Sequence, residues 1–303
     1  MLSRRSLALF PLALPLALAA GRATASATPR AEDWRFVHNG PEVPGDTRHD
    51  YHWRVLQAAL EATRSKYGPY TVESSGFMNE SRQLLEMHRP SGSINSLALV
   101  GSATLDKTLI PVKVPVDKGL LGFRLFLIRA ADQPAFTQVR TLDDLRRFRQ
   151  GQQTDWVDAA IFRAAGFPVV TGNNYAALFA MLMAGRFDAF GRGVGEIEGE
   201  LANFGPKYPG MAIEQSLLLH YPLAVYFWFR RDAEGERYAT RVREGMTTIA
   251  NNGTLDRLFN QEFQAVIQRL NLRDLRVLRI GNPTQPLNQP FDKKDWWFEP
   301  TSR

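Results

Sequence analysis

The sequence predicts an α/β protein, and three observations carry that prediction. Short apolar runs alternate with helical patterns along nearly the whole chain. The composition, 44% hydrophobic and 22% charged, is that of a globular chain, neither a disordered tail nor a coiled coil. The length of 303 residues provides for two compact units, each able to bury its own core.

The elements follow in order. Trp34 to Val37 reads as a strand that breaks at Asn39-Gly40-Pro41, and Trp53, Leu56, Leu60 and Tyr67 lie on one stripe of a helix ended by Gly68-Pro69. Tyr70 to Glu73 is a strand, Ser81 to Met87 a short helix, and Ser96 to Val100 another strand. A long apolar run, Leu120 to Ile128, is interrupted only by Gly122 and Arg124. Thr141 and Asp144 open a helix in a capping-box-like arrangement. Val157, Ala160, Ile161 and Ala164 have helical core spacing up to Gly166, and Val169-Val170 is strand-like. Asn174 caps a helix that Gly185 ends, releasing a strand from Phe187 to Phe190. Val194, Ile197, Leu201 and Phe204 mark a further helix, Pro222 to Phe229 a strand, and two helices flank Asn251-Asn252-Gly253-Thr254. From Gly281 onward, prolines and Trp296-Trp297 predict an extended tail packed by its aromatic rings.

Several function classes fall away. The chain has no cysteine, which excludes disulfides, thiolate zinc sites, iron–sulfur clusters, cysteine nucleophiles and a lipoprotein anchor. Arg4-Arg5, the apolar stretch Leu7 to Ala20 and Ala23-Thr24-Ala25 predict a secretory signal peptide over residues 1–25, and hence a periplasmic protein. Cleavage there removes three arginines and no acids, so the formal charge falls from +6 to +3. The remaining basic residues are scattered and form no stripe, so no nucleic-acid partner is expected. His49 and His52 with Asp46 and Asp50 read as an ordinary polar helix start rather than a metal site, and no metal or cofactor is expected. Neither a G-x-S-x-G elbow, a phosphate loop nor an H-E-x-x-H motif is present.

Three short motifs, in order, carry a resemblance. Thr141-Leu142-Asp143-Asp144-Leu145 looks like "S-L-x-D-L". Tyr175 through Ala189, closing on Gly185-Arg186-Phe187-Asp188-Ala189, resembles "S-Y-x-E-A-L-x-A-L-x-x-G-R-x-D-A". Asn252-Gly253-Thr254 before a final amphipathic helix is similar to a closing "D-G-T". Over roughly Trp34 to Leu270 the chain resembles the type 2 periplasmic solute-binding proteins of amino-acid uptake systems. The resemblance implies a two-lobe fold with hinge strands and a central ligand cleft. Lobe 1 would comprise 26–127 plus 231–270 and lobe 2 would comprise 128–230, with an extended tail over 271–303. The apolar runs Phe123–Ile128 and Ala224–Phe229 would be the hinge strands.

The chain also departs from the family. After the strand Ser96–Val100, family members commonly place an arginine that clamps the ligand carboxylate; here Lys107 stands there, a point charge without the bidentate fork. The aspartate that commonly follows "D-A" and holds the ligand ammonium is replaced by Phe190-Gly191-Arg192-Gly193.

Arg192 leads the candidate ligand contacts because it lies between a strand's C-terminal end and a helix's first turn. A cation there opposes the helix macrodipole, so it requires either an anionic ligand group or an internal partner, Glu196 or Glu200. Trp156 is a stacking wall or core. Thr154 and Asp155, in the loop that presents hydroxyls and backbone N–H groups in the resembled family, are contacts or helix caps. Asn39, Ser102, Lys107, Arg82 and Tyr175 are contacts or capped and packed loop residues. The leading reading is therefore a non-enzymatic, monomeric protein that binds a small polar solute, anionic or amino-acid-like, for an ABC-type permease. The alternatives are an exported dehydratase using Glu196 as acid or base, and a sensing partner of a membrane receptor.

Overall fold

The computed structural model describes residues 34–41, 46–286 and 288–300; the expected signal peptide lies outside the described residues. Strand β1 (Trp34–His38) precedes α1 (Asp50–Ala62) and the single turn α2 (Arg64–Tyr67). The one predicted helix is thus broken at Thr63, whose hydroxyl donates back to the carbonyls of Ala59 and Leu60. Then come β2 (Tyr70–Ser74), α3 (Glu80–His88), β3 (Leu97–Val100), α4 (Ala103–Thr108), β4 (Leu109–Val112) and β5 (Phe123–Arg129). Next are α5 (Gln133–Thr137), α6 (Leu142–Leu145), β6 (Gln150–Gln153), α7 (Val157–Ala164), β7 (Val169–Gly172) and α8 (Tyr175–Met183). The rest are β8 (Ala189–Gly193), α9 (Ile197–Phe204), β9 (Met211–Ile213), β10 (Leu217–His220), β11 (Val225–Arg230), α10 (Ala233–Asn251), α11 (Thr254–Arg269) and β12 (Arg276–Arg279).

The strands form three sheets. β1 and β2 pair in parallel, β11 lies between β3 and β4, and the third sheet runs β12-β10-β5-β8-β6-β7 with β9 also on β5. Strand β5 shows why the last sheet has two buried faces. Phe126 and Ile128 join the core with Phe136, Phe162 and Leu219, whereas Phe123, Leu125 and Leu127 alternate into the larger core on the other side. Several predicted capping devices are present. Thr141 and Asp144 close a reciprocal capping box, Asn174 accepts from the N–H of Ala177, and Gly185 takes the left-handed conformation after α8.

Two stretches differ from the sequence reading. The segment Gln150–Gln153, where the sequence reading gives no strand, is a fully buried strand paired with β7 and β8. The run from Pro222 to Phe229, placed by the sequence reading at the end of the second lobe, forms β11 and pairs with β3 and β4.

The chain passes between the two larger sheets through 113–122 and 221–224. These crossovers are bonded to each other: Val116 N–H donates to Val225 O, and Tyr221 N–H to Gly122 O. The buried carboxylate of Asp117 accepts from the N–H groups of Gly119 and Leu121 in the first crossover and from Val225 just past the second. A third passage follows α11. The segment after residue 270, expected as an extended tail, begins with β12 in parallel register on β10. It then recrosses: Asn282 donates to Pro222 O, Thr284 O accepts from Ala103 N, and Phe298 N–H donates to Lys118 O. The Phe298 ring meets Phe123 of β5 and Phe259 of α11, so one side chain joins the strand to the helix.

Because Phe298 packs on both β5 and α11, Phe298→Ala is expected to lower the unfolding free energy by about 2 kcal/mol. The same change at the exposed Val277 should cost within ~0.5 kcal/mol. Urea denaturation of both variants checks this; equal midpoints would show that the tail does not brace the halves.

Candidate functional site

Two arginines on neighbouring strands begin the site. The register pairs Arg124 with Gly193 and Leu125 with Arg192, so the arginines leave opposite faces of the sheet. Beyond the C-terminal end of β8 the chain turns, and Glu196 reaches back to accept the N–H of Gly193 at 3.0 Å. A Cβ at Gly193 would lie 2.7 Å from Leu121 and 2.9 Å from the Glu196 carboxylate, and one at Gly195 would lie 2.6 Å from the Phe263 ring. Both positions are glycine because of close approach.

These residues form one wall of a cavity of about 110 Å³ between the end of the seven-stranded sheet and the elements around the three-stranded one. Arg124, Trp156, Asp158, Arg192 and Glu196 line that wall. Arg48, His49 and His52 at the start of α1, Glu80 and Gln83 of α3, and Asp117 of the first crossover line the other. Contacts close the two sides upon each other. The Arg48 guanidinium lies 4.0 Å above the Tyr175 ring, Ser81 Oγ donates to Asp155 Oδ2 at 2.8 Å, and Arg269 pairs with Glu198 at 2.5 Å.

Each arginine has an internal acidic partner. Arg192 grips Glu200 in a fork, Nε to Oε2 at 2.7 Å and Nη2 to Oε1 at 2.6 Å, with Glu196 3.2 Å away. Its guanidinium lies 4.7 Å from the Trp156 ring centre and 5.0 Å from that of Phe190. Arg124 donates from Nη2 to Asp158 at 2.6 Å and from Nε to the Tyr221 hydroxyl at 2.9 Å, and that hydroxyl donates to Asp158. Glu196 is 3.7 Å from Arg124 Nη1. Arg48 forks onto Asp46 with two bonds of 2.8 Å.

Protonation follows from this arrangement. Burial works to raise the Glu196 pKa, but Arg192, Arg124 and Arg48 together pull it down to about 2. Burial disfavours the Arg192 charge, yet Glu196 and Glu200 hold its pKa well above the ordinary value. His52 is only 8% exposed, and burial, with His49 3.4 Å away, pushes it down to about 3. Among the described residues no group of His, Asp and Glu side chains is placed to hold a metal ion.

Of the residues singled out from the sequence, Arg192, Trp156 and Glu196 come together in the cavity wall. Arg192 meets Glu200 as the internal-partner reading anticipated, while still lining the cavity. Tyr175 stands behind it, its hydroxyl donating to Glu200 at 2.8 Å. The others lie outside the cavity. Asn39 is buried and bonded to Gly40 O. Ser102 caps α4 by accepting the N–H of Leu105. Lys107 and Arg82 are exposed, because α4 and α3 turn these positions toward solvent. Thr154 is exposed and bonded to Gly172 O and Asn173, and Asp155 is exposed at the contact with Ser81; neither caps α7, whose N-cap is Trp156. Sequence reasoning missed Arg124 and Asp158. The signal for Arg124 was its place as a lone charge inside the long apolar run; Asp158 lay within the first turn of a helix already identified.

No protein-family model and no curated protein sequence matches the chain. Solved structures do match. The amino acid ABC transporter substrate-binding protein AbpA from Streptococcus pneumoniae, bound to L-arginine, superposes with a TM-score of 0.55 at 15% identity, covering 78% of this chain and 96% of its own. A periplasmic His/Glu/Gln/Arg/opine family-binding protein from Silicibacter pomeroyi in complex with lysine gives 0.53 at 12%, covering 76% and 96%. A histidine kinase sensor domain with similarity to periplasmic binding proteins gives 0.53 at 16%, covering 77% and 96%. The chain has the two-lobe fold of the periplasmic binding proteins. No helix among the described residues is long and apolar enough to cross a membrane.

The depressed pKa of His52 sets a pH dependence. The unfolded histidine takes up a proton near its ordinary value of 6.5, whereas the folded one stays neutral until far lower pH. Its contribution is therefore full above 6.5 and lost as pH falls toward 3, at up to about 1.4 kcal/mol per pH unit. Urea denaturation between about pH 7 and pH 5 should show His52→Gln flattening the slope by about that amount. Parallel curves for the variant and the unmutated protein would show that His52 is not held neutral.

Proposed function

We propose that this protein captures a small polar, amino-acid-like solute in the cleft outside the cytoplasmic membrane and delivers it, as a single chain, to an ABC-type permease. The observation that carries the reading is the cavity between the end of the seven-stranded sheet and the elements around the three-stranded one, lined by Arg124, Arg192, Glu196 and Trp156. Such a lining supplies a few fixed polar groups against an apolar backdrop, as a small-molecule site requires. The fold's relatives in the comparisons, bound to L-arginine and to lysine, support the same class of ligand. Two crossovers joining the halves provide for hinge closure, in which ligand contacts to both sides favour the shut state.

An acid–base enzyme is the weaker reading. Glu196, the candidate for that role, is held ionised by the arginines around it, whereas a general acid at neutral pH needs a raised pKa. A sensing role has one specific point in its favour, the sensor domain of a histidine kinase with the same fold. In either the transport or the sensing role, binding comes first.

Thermal-shift measurement against amino acids, organic acids and sugar acids tests the reading. A true ligand at ~100 times its Kd should stabilise the protein by about 2.7 kcal/mol. If no member of such a set moves the melting temperature, solute capture is wrong.

A further inference from the structure

We infer that Arg124, aimed by Tyr221 and Asp158, is the group that grips the acid end of the solute, and that Glu196 beside it receives an amine on the adjacent carbon. The inference rests on the solute-binding reading and adds to it which residues discriminate.

The argument starts from unused hydrogen-bonding capacity. Arg124 is 2% exposed, and its Nε and Nη2 are both engaged, by Tyr221 and Asp158. Its remaining amino group, Nη1, makes no hydrogen bond among the described residues; the nearest acidic oxygen, on Glu196, is 3.7 Å away. A buried guanidinium that lines a cavity and keeps one amino group unbonded is a donor directed at an occupant.

Three arginines line the cavity, and their surroundings separate them. Arg192 faces two carboxylates, with Glu200 taking its fork and Glu196 within 3.2 Å. Arg48 has its own fork with Asp46 and lies on the Tyr175 ring. Arg124 has one carboxylate at hydrogen-bond distance, and a neutral hydroxyl holds its Nε. It is therefore the guanidinium that is not taken up in a carboxylate fork, with Nη2 on Asp158, Nε on a hydroxyl and Nη1 left over. Lys107, at the position that clamps the acid group in the resembled family, is exposed and outside the cavity. The clamp would thus come from the seven-stranded sheet.

Glu196 sets the second requirement. Its Oε2 accepts from Gly193, and its Oε1 accepts no hydrogen bond among the described residues. A ligand carboxylate bound at Arg124 Nη1 would meet this ionised neighbour and be repelled unless the ligand brought a cation between them. The 3.7 Å between Arg124 Nη1 and Glu196 leaves little distance between the ligand's two charges. An amine on the carbon next to the acid fits that spacing; one at the far end of a chain does not. A dianion is disfavoured on the same ground.

Tyr221 and Asp158 are positioning residues. The Tyr221 hydroxyl accepts from Arg124 Nε while donating to Asp158, which fixes the plane of the guanidinium and turns Nη1 to the cavity.

The experiment is calorimetry and thermal shift with matched probes: the common L-α-amino acids, the amide of each, the acid lacking the amine, the ω-amino isomers, and a control set of monosaccharides and dicarboxylic acids. At least one free α-amino acid should bind, with its amide and its deaminated acid each about 100-fold weaker. Arg124→Gln leaves Asp158 buried without its partner, so the double variant Arg124→Gln/Asp158→Asn is measured beside it, with folding checked by circular dichroism. The folded variant should bind free acid and amide alike, and Tyr221→Phe should shrink the acid-to-amide ratio. A ratio unchanged in the double variant, an amide equal to the acid in the unmutated protein, or binding confined to sugars or dicarboxylic acids would overturn the clamp while leaving solute binding intact. Binding by no probe at all would overturn both.

Discussion

Glu196 stands within ion-pair distance of arginines that leave opposite faces of one sheet, and the geometry of the cleft wall depends on that contact. Two guanidinium groups at neighbouring strand ends repel each other and are costly to bury. One carboxylate at the turn after β8 meets both, and Glu200 and Asp158 complete the neutralisation from the two sides. Breaking any member of such a cluster leaves an uncompensated buried charge, at a cost of about 3–5 kcal/mol. The Trp156 ring lies against the Arg192 guanidinium of this cluster, and the Glu196 carboxylate, with Leu121, leaves no room for a side chain at residue 193.

The opposing side comes from the start of α1, from α3 and from the first crossover, and its contacts with this wall include Arg48 on Tyr175 and Ser81 with Asp155. Asp117 ties the two passages between the sheets together, since its carboxylate bonds backbone N–H groups of the first crossover and of Val225 just past the second. Turning at one crossover without the other would strip a buried carboxylate of a donor. The two stretches are therefore tied to each other through this one side chain.

Much of the fold was legible in the sequence because helix ends have chemical signatures. The Thr141–Asp144 box, the Asn174 cap and the glycine after α8 all stand where pattern reasoning put them. Strand β6 was not legible. Its four residues are three glutamines and a glycine, with no apolar signature, yet all are buried, because the pairing of its backbone with β7 and β8 decides its place. Several glutamine side-chain atoms there have no partner among the described residues, which is a cost no sequence pattern announces. In the site, Arg192 was legible from its position between strand and helix. Arg124 was hidden inside an apolar run, where a single charge reads as an interruption. Lys107 was assigned by analogy with an aligned arginine, but a six-residue helix beginning at Ala103 carries it out to solvent.

The parallel pairing of β12 with β10 has a consequence for how the molecule comes into being. Leu217 to Leu219 form an apolar stretch whose outer backbone groups are satisfied by residues some sixty positions later in the chain. Until those last residues are free to move, that rim is an open template for pairing with another molecule. A chain still emerging from a ribosome or a translocation pore cannot close it. The strand order thus builds in an interval during which the rim of β10 is unpaired, and it ends only when residues 276–279 dock.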